Sequence, residues 1–142
     1  MFRISKKTEY GILAVQYICS TKADRAATVR EIAEKHKISP TLLAKILQQL
    51  AKKNIICSVQ GPRGGYIMNS DAGKISLADV FEAIEGPLHL TECDIEDHSC
   101  SRYEDCTLKD GFAPIQQQLA DFFRNILIKD LAANRTGQYE IQ

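Results

Sequence analysis

The chain has no apolar run approaching the ~20 residues that a membrane-spanning helix needs, so we expect no membrane partner. Residues 11–19 are mostly apolar and follow two lysines, as in a signal peptide. However, Gln16 and Tyr17 interrupt this stretch, and no small-residue cleavage site follows it. We therefore expect a cytoplasmic protein whose thiols are mostly reduced.

The sequence also lacks the motifs of common hydrolases and nucleotide-dependent enzymes. It contains no H-E-x-x-H motif and no arrangement of Ser, His and Asp that predicts a catalytic triad. Gly61, Gly64 and Gly65 are too closely spaced for a nucleotide-binding loop, and they lie between two predicted strands rather than before a helix. We therefore predict that the chain is not an enzyme.

Charge is unevenly distributed along the chain, although the formal net charge is zero. Residues 1–68 contain 12 Lys or Arg against 4 Asp or Glu, a balance of +8. Residues 69–142 contain 6 Lys or Arg against 14 Asp or Glu, a balance of −8. A uniformly solvated surface does not explain this division. The basic half predicts a polyanionic partner such as DNA.

Residues 28–52 have the pattern of a helix-turn-helix. Val29, Ile32 and Ala33 give a short helix one apolar side. Ser39 suits the N-cap of a second helix, and Pro40 suits its first position, where a missing N–H costs nothing. The second helix has an apolar side for the core (Leu43, Ile46, Leu47 and Leu50) and a small, polar opposite side (Pro40, Thr41, Ala44, Lys45 and Gln48). Such a helix can enter a DNA major groove by its N-terminal end.

A β-hairpin is predicted directly after the second helix. Residues 55–59 and 66–68 are rich in β-branched and apolar side chains. The intervening residues 60–65 contain three glycines and Pro62, which favour a tight turn with Arg63 at its tip. An arginine at a hairpin tip suits a narrow minor groove or a phosphate. The alternative is a helical pair and an ordinary hairpin within some other core.

Together these elements predict a mainly α fold with a small β-hairpin wing. We assign residues 1–85 to a winged helix-turn-helix DNA-binding domain, which includes an amphipathic first helix at about 6–20 and a helix capped by Ser76. Residues 86–110 form a cysteine-rich, cluster-binding loop. Residues 111–133 form a long C-terminal dimerisation helix whose apolar stripe is wider than the small core needs, and 134–142 form a loose tail. The alternative is that this helix folds back on its own domain.

The five cysteines divide into two kinds. Cys19 and Cys57 lie in an apolar helix and strand, where they suit small buried hydrophobes. Cys93, Cys100 and Cys106 lie in a loop with little apolar content, and a metal or iron–sulfur centre would explain three thiols at this spacing. Zinc with a fourth ligand, a thiol–disulfide switch and metal-free thiols remain alternatives. The many neighbouring acids disfavour bare thiolates and so weaken the switch.

At these positions the chain resembles the Rrf-type family of bacterial winged-helix transcriptional regulators, with IscR-like and NsrR-like branches. The resemblance is carried by residues 4–11, the Ile38-Ser39 turn, the wing at 59–66, the 84–87 junction and the cysteine triad ahead of a long helix. It implies a homodimer that binds palindromic, double-stranded promoter DNA. The residues we predict to contact DNA are Thr28, Ser39, Pro40, Thr41, Lys45, Gln48, Arg63 and Gly64.

The resemblance also implies an iron–sulfur cluster on Cys93, Cys100 and Cys106. IscR-like members carry a 2Fe–2S cluster and a histidine where this chain has Lys109, and a protonated ammonium cannot be a ligand. In NsrR-like members an acidic residue in the first helix of the partner subunit completes a 4Fe–4S cluster, and the matching residue is Glu9. We therefore favour a 4Fe–4S cluster with Glu9 as fourth ligand, and a 2Fe–2S cluster is possible. His89 and His98 remain candidates.

The function expected from this resemblance is a homodimeric repressor that senses nitric oxide, redox state or iron–sulfur status. One alternative is a cluster-free regulator of the same fold that senses through thiols or a protein partner. A second is a small iron–sulfur electron carrier or redox enzyme that uses the helical domain only as a scaffold.

Overall fold

The computed structural model describes residues 3–69, 71–91 and 100–133. The elements are, in chain order, α1 (Lys6–Ser20), α2 (Val29–His36), α3 (Pro40–Lys52), β1 (Ile56–Val59), β2 (Gly65–Met68), a 3-10 turn (Ala72–Lys74), α4 (Leu77–Glu85), α5 (Thr107–Asn125) and α6 (Ile128–Ala133). Across these ranges the fold is mainly helical with a two-stranded antiparallel hairpin, which confirms the predicted fold class.

The hydrophobic core of the predicted DNA-binding domain lies where α1, α2, α3 and α4 meet. The apolar side predicted for α3 is buried, since Leu43, Ile46, Leu47 and Leu50 are all at most 1% exposed. They pack with Val15 of α1, Ile32 of α2 and Val80 of α4, which are fully buried. Each such side chain contributes about 1.5–3 kcal/mol through burial. Periodicity in the sequence therefore identified the core side of α3 correctly.

Local hydrogen bonds define the ends of α2 and α4. Thr28 and Ser76 are N-caps, and each forms a reciprocal capping box with an acidic residue three positions on, Glu31 and Asp79. Helix α2 ends at Lys37, which adopts a left-handed conformation with φ 55°. This turn directs Ile38 into the core, where it is 5% exposed, and α3 begins two residues later.

The wing is fastened to the helix-turn-helix by a short bridge. Strands β1 and β2 pair antiparallel from Ile56 opposite Met68 to Val59 opposite Gly65. Tyr66 then exchanges two backbone hydrogen bonds with Ala27, of 2.9 and 2.7 Å, just before the cap of α2. A Cβ at Gly65 would overlap the carbonyl of Ala27, so this position requires glycine. The bridge therefore fixes the position of the wing relative to α2.

Helices α1 and α4 are joined at one end by close packing and hydrogen bonds. A Cβ added to Gly11 would overlap Cδ1 of Ile84, so the missing side chain allows the two helices to approach closely. Thr8 is fully buried, and its hydroxyl donates to Oε1 of Glu85 over 2.9 Å. The hydroxyl of Ser5, the N-cap of α1, also donates to Glu85. The end of α4 is thereby held against the start of α1.

The C-terminal helix differs from the single helix predicted at 111–133. Helix α5 begins earlier, at Thr107, and continues through Pro114, although this residue has no N–H to donate. The chain becomes extended at Ile126, whose carbonyl accepts from Leu77 N over 2.7 Å. Ile128 N donates to the carbonyl of Ile75 over 2.9 Å, and α6 follows. The prediction of one uninterrupted helix was therefore wrong.

The reason for this break is the run of apolar residues at 126–128. An extended backbone places alternate side chains on the same side. Accordingly, Ile126 and Ile128 are both buried, at 6% and 0% exposure, whereas Leu127 is half-buried. A continuous helix would separate the two isoleucines by 200° of rotation, as its 3.6-residue period requires. Residues 126–128 thus pack against the core of their own domain.

None of the helices in the described ranges is long and apolar enough to cross a membrane.

The wing bridge predicts unequal effects of alanine at two wing glycines. Gly61 and Gly65 both have positive φ, of 106° and 154°, but a Cβ at Gly61 would meet nothing within 4 Å. We expect Gly65→Ala to lower the free energy of unfolding by about 1–3 kcal/mol more than Gly61→Ala, because backbone atoms of Ala27 must move. Urea denaturation of both variants measures this difference, and equal losses would contradict the bridge.

The α1–α4 junction predicts coupling between Thr8 and Glu85. In a double-mutant cycle with Thr8→Val and Glu85→Ala, we expect a coupling free energy of about 1 kcal/mol, because each single change removes the same hydrogen bond. Glu82→Ala, one turn earlier on α4, is the matched control and should combine additively with Thr8→Val. The junction would be refuted if both cycles were additive in denaturant unfolding.

Candidate nucleic-acid interface and cysteine segment

The predicted recognition surface of α3 is exposed to solvent. Pro40, Thr41, Lys45 and Gln48 are exposed, and Ala44 is half-buried between them. The opposite side of the helix is held rigidly by the buried leucines and isoleucine described above. The structure therefore presents short, polar side chains and one cation on a fixed helix, as base contacts in a major groove require.

The two hydroxyl residues predicted to contact DNA have different environments. Ser39 is the N-cap of α3, but its side chain makes no capping hydrogen bond and is exposed. Thr28 is half-buried, and its hydroxyl lies 3.1 Å from both the backbone N and Oε2 of Glu31 in the capping box. The Thr28 N–H donates to Glu31 over 2.8 Å, and this bond, more than the nearby Arg25, lowers the pKa of the Glu31 carboxyl. Ser39 is thus better placed than Thr28 to donate to a phosphate.

The wing presents Arg63 at an exposed turn, as predicted. Gly64 N donates to the carbonyl of Gly61 over 2.9 Å, which closes the turn. Arg63 is exposed and has no carboxylate within ion-pair distance among the described residues. A guanidinium in this position is free to meet a phosphate or to enter a minor groove.

Most cations of the first half are not neutralised by nearby acids. The twelve Lys and Arg side chains of residues 3–68 all lie in described ranges. Within those ranges only three of them pair with carboxylates: Lys6 with Glu9, Arg25 with Glu31 and Arg30 with Glu34. The other nine cations give residues 3–68 a strong positive electrostatic potential.

The sequence prediction missed two lysines beside the recognition surface. A groove of about 400 Å3 between α1 and α3 is lined by Lys7, Leu42, Lys45, Ile46, Gln48, Gln49 and Lys52. Lys45 and Lys52 are seven residues apart, a spacing of about two helical turns that was visible in the sequence. The approach of Lys7 from α1 depends on the tertiary structure. The groove extends the cationic part of the recognition surface towards the end of α3.

Glu9 lies in the first turn of α1 and is about half exposed, with a side-chain exposure of 45%. Its Oε2 is 2.6 Å from Nζ of Lys6, and this pairing raises the pKa of the Lys6 ammonium. The interaction is an exposed i,i+3 ion pair, which contributes little to stability. The carboxylate is therefore accessible and could exchange Lys6 for another cationic partner.

The predicted cluster ligands are only partly described. Cys93 lies outside the described residues, as does His98. Cys100 is an exposed free thiol, and Cys106 is a half-buried free thiol at the N-cap of α5. Cys106 makes no capping hydrogen bond to the helix that it precedes. Among described residues no group of three metal-ligating side chains is assembled.

Cys19, Cys57 and His36 are all partly buried. Cys19 and Cys57 are half-buried rather than fully buried, and burial raises the pKa of the Cys19 thiol. His36 is half-buried with its ring edge-on to Tyr17, with 6.2 Å between the ring centroids. Burial, with a smaller effect from Lys35, lowers the pKa of His36.

Lys109 occupies the position of the IscR-like histidine and is engaged with Tyr103. Its Nζ lies 4.2 Å from the centre of the Tyr103 ring and donates to the Tyr103 carbonyl over 3.2 Å. This cation–π contact requires the protonated ammonium. Lys109 is thus engaged within its own segment of the chain. His89 is exposed.

Proteins with similar sequences are regulators of transcription. The model of the Rrf2 family, described as iron-dependent transcriptional regulators, matches residues 4–134. A protein of Aquifex aeolicus named as an HTH-type transcriptional regulator is 33% identical over 129 residues, which cover 89% of each chain. The regulator IscR of Cronobacter sakazakii is 26% identical over 133 residues, 94% of this chain and 82% of that protein. These relatives are not enzymes, as the sequence predicted.

Solved structures share the fold. CymR of B. subtilis, titled a global cysteine regulator, aligns with a TM-score of 0.71 at 20% identity over 94% of this chain and 98% of its own. IscR of T. potens has the same TM-score and identity over 98% and 93%. A Listeria innocua regulator reaches 0.74 at 24% identity over 97% and 94%. Because the family model spans nearly all of the described elements, this chain belongs to the Rrf2 family of transcriptional regulators.

Proposed function

We propose that this regulator acts as a homodimeric repressor of promoter DNA whose binding is controlled by an iron–sulfur cluster, with 4Fe–4S favoured over 2Fe–2S. The observation that carries the proposal is the combination of an exposed helix α3, the exposed Arg63 and the nine cations of the basic half that have no carboxylate partner among the described residues. An exposed thiol, Cys100, and a half-buried one, Cys106, follow on the acidic half of the same chain. The basic half, residues 1–68, is suited to bind a polyanion, and the acidic half, residues 69–142, is suited to respond to a signal.

The DNA contacts divide by the groove that each element would enter. Thr41, Lys45 and Gln48 of α3, with Pro40, would face base edges in a major groove, and Ser39 at the N-cap would donate to a phosphate. Arg63, with Gly64 allowing close backbone approach, would enter the adjoining minor groove. Thr28 would lie near the backbone through the start of α2. In a two-fold dimer, the recognition helices would meet half-sites about 34 Å apart.

Cys93, Cys100, Cys106 and Glu9 are the residues proposed to hold the cluster. The described members suit this role, because Cys106 is a thiol with no competing hydrogen bond at a helix N-terminus and Cys100 is a free, exposed thiol. Glu9 is accessible on α1, far in sequence from Cys100 and Cys106, and we propose that it reaches the thiols of the partner subunit. When bound, the cluster would supply a centre that reacts with nitric oxide or oxygen or is lost when iron is scarce.

The α1–α4 junction would couple the cysteine segment to the DNA-reading module. The segment begins directly after α4, where Glu85 is bonded to Ser5 and Thr8 of α1. A change in the segment would therefore displace α4 relative to α1, which carries Glu9 and packs on α3. The two recognition helices of a dimer must match the spacing of two DNA half-sites. Even a small change in their separation would therefore weaken DNA binding.

The exposed side of α5 supports the homodimer. Leu108, Phe112, Ile115 and Leu119 follow the i, i+4, i+7, i+11 pattern of one helical stripe. Leu108 is 64% and Ile115 50% exposed, which are the largest values for bulky apolar residues in the described ranges. The later part of α5 is covered by its own domain, where Phe123 packs on Phe81. A second copy of α5 would cover the earlier part.

The wing contact predicts a specific change in salt dependence. For a duplex selected by the full-length protein from a random pool, we expect Arg63→Ala to weaken binding on the order of tenfold and to reduce the slope of log K against log salt by about 0.9, because one phosphate contact is lost. Arg124→Ala on α5 is the control and should change neither quantity. Fluorescence anisotropy across a salt series measures both, and an unaltered slope for Arg63→Ala would exclude the wing contact.

The cluster proposal predicts iron and sulfide in protein purified without oxygen. We expect visible absorption from the wild type, its loss in Cys106→Ala and an altered spectrum with a weakened ligand response in Glu9→Ala, because each variant removes a ligand. Cys57→Ala should retain the wild-type spectrum. Wild-type protein that is colourless and iron-free yet binds DNA would favour the cluster-free alternative. An unaltered Glu9→Ala spectrum would show only that the fourth ligand is wrong.

A further inference from the structure

The start of the helix-turn-helix contains an apolar groove, and Pro40 is the only residue of its lining that we predicted to contact DNA. It has a volume of about 590 Å3 and is lined by Val29, Arg30, Ala33, Glu34, Ile38 and Pro40. Ala33 and Ile38 are buried, at 4% and 5% exposure, and form its floor, whereas Val29 is half-buried and Pro40 exposed. The opening is therefore bordered by apolar side chains of both helices.

The charged residues beside this groove neutralise each other. Nε of Arg30 lies 2.9 Å from Oε1 of Glu34, in an i,i+4 ion pair along α2. The groove thus carries no free charge of its own to attract a phosphate. Lys37 and Lys45, which pair with no carboxylate in the part of the chain that the structure describes, are close in sequence and belong to the basic half. A neutral, apolar groove within a cationic surface suits an apolar group that is attached to a polyanion.

The groove is continuous with the recognition surface. Val29 is the first residue of α2 and Pro40 the first residue of α3, so the N-terminal ends of both helices border it. In a helix-turn-helix, the N-terminal end of the second helix meets base edges while the first helix crosses the backbone. Pro40 therefore lies where α3 would enter the major groove, and Val29 lines the same groove.

We propose that this groove reads the C5-methyl group of thymine in each half-site of the operator, through Val29 and Pro40. The thymine methyl is the apolar group that bases expose in the major groove of unmodified DNA, and apolar side chains recognise it by contact. Neither residue can donate a hydrogen bond from its side chain, so this contact distinguishes thymine by burial alone. The inference rests on the proposed DNA-binding function and adds a determinant of operator sequence to it.

Replacing thymine by deoxyuridine tests this contact directly, because it removes the methyl and leaves the base pair and its hydrogen-bonding groups intact. A duplex is selected from a random pool by the full-length protein and resynthesised with deoxyuridine at one thymine at a time. We expect an affinity loss of about fourfold at one or more positions in each half-site, as burial of one methyl predicts. Fluorescence anisotropy at fixed salt measures the loss.

Two variants assign the loss to the groove. Val29→Thr keeps the side-chain shape but replaces a methyl by a hydroxyl, and Pro40→Ser shortens an exposed side chain without opening the core. We expect the deoxyuridine penalty at those positions to fall below about twofold in both variants. Val59→Thr, the same chemical change at an exposed residue of the wing, is the matched control and should retain the full penalty.

The outcomes separate this inference from the proposed function. If wild-type protein binds the selected duplex tightly and no deoxyuridine substitution matters, the groove does not read thymine and DNA binding stands. If a penalty occurs but persists unchanged in Val29→Thr and Pro40→Ser, another part of the surface reads the methyl and the inference is overturned. If no duplex is selected at all, the inference and the proposed function both fail.

Discussion

Close contact between α1 and α4 is the constraint on which the arrangement of both halves depends. Gly11 leaves room for Ile84, and the buried Thr8 hydroxyl holds Glu85 at the end of α4. Helix α1 also packs on α3 and receives α6, since Gln16 donates to the carbonyl of Ile128. The DNA-reading helix and the return of the C-terminal segment therefore share one support. Both connections run through packed side chains rather than across solvent.

A second constraint sets the distance between the two elements that we propose to contact DNA, the wing and α3. The backbone bridge of Ala27 with Tyr66 joins the wing to the residue that precedes the cap of α2. The left-handed turn at Lys37 then fixes α3 relative to α2. Arg63 and the exposed face of α3 are thus held by backbone geometry, whereas their side chains remain free. Recognition surfaces need this combination, because preorganisation reduces the entropy lost on binding.

The candidate site could be predicted in part from the sequence, and particular residues show why. Thr41, Lys45 and Gln48 were correctly placed on the exposed face of α3, because helical periodicity alone separates them from the buried Leu43, Ile46 and Leu47. The hydrogen bonds between the Thr28 hydroxyl and Glu31 could have been predicted, since a capping box is a local sequence pattern. The approach of Lys7 to Lys52, and of Val29 to Pro40, joins different helices and has no local signal.

The same distinction holds for the fold. The sequence by itself determined α1 to α4 and the hairpin, including α1 at residues 6–20, because caps, turn glycines and apolar periods act over a few residues. Only the tertiary structure decided that α5 begins at Thr107 and stops at Asn125. Extended backbone at Ile126 allows Ile126 and Ile128 to be buried together and Leu77 to pair with the carbonyl of Ile126. Such gains come from residues 50 positions away, and they outweigh the local preference of the chain to remain helical.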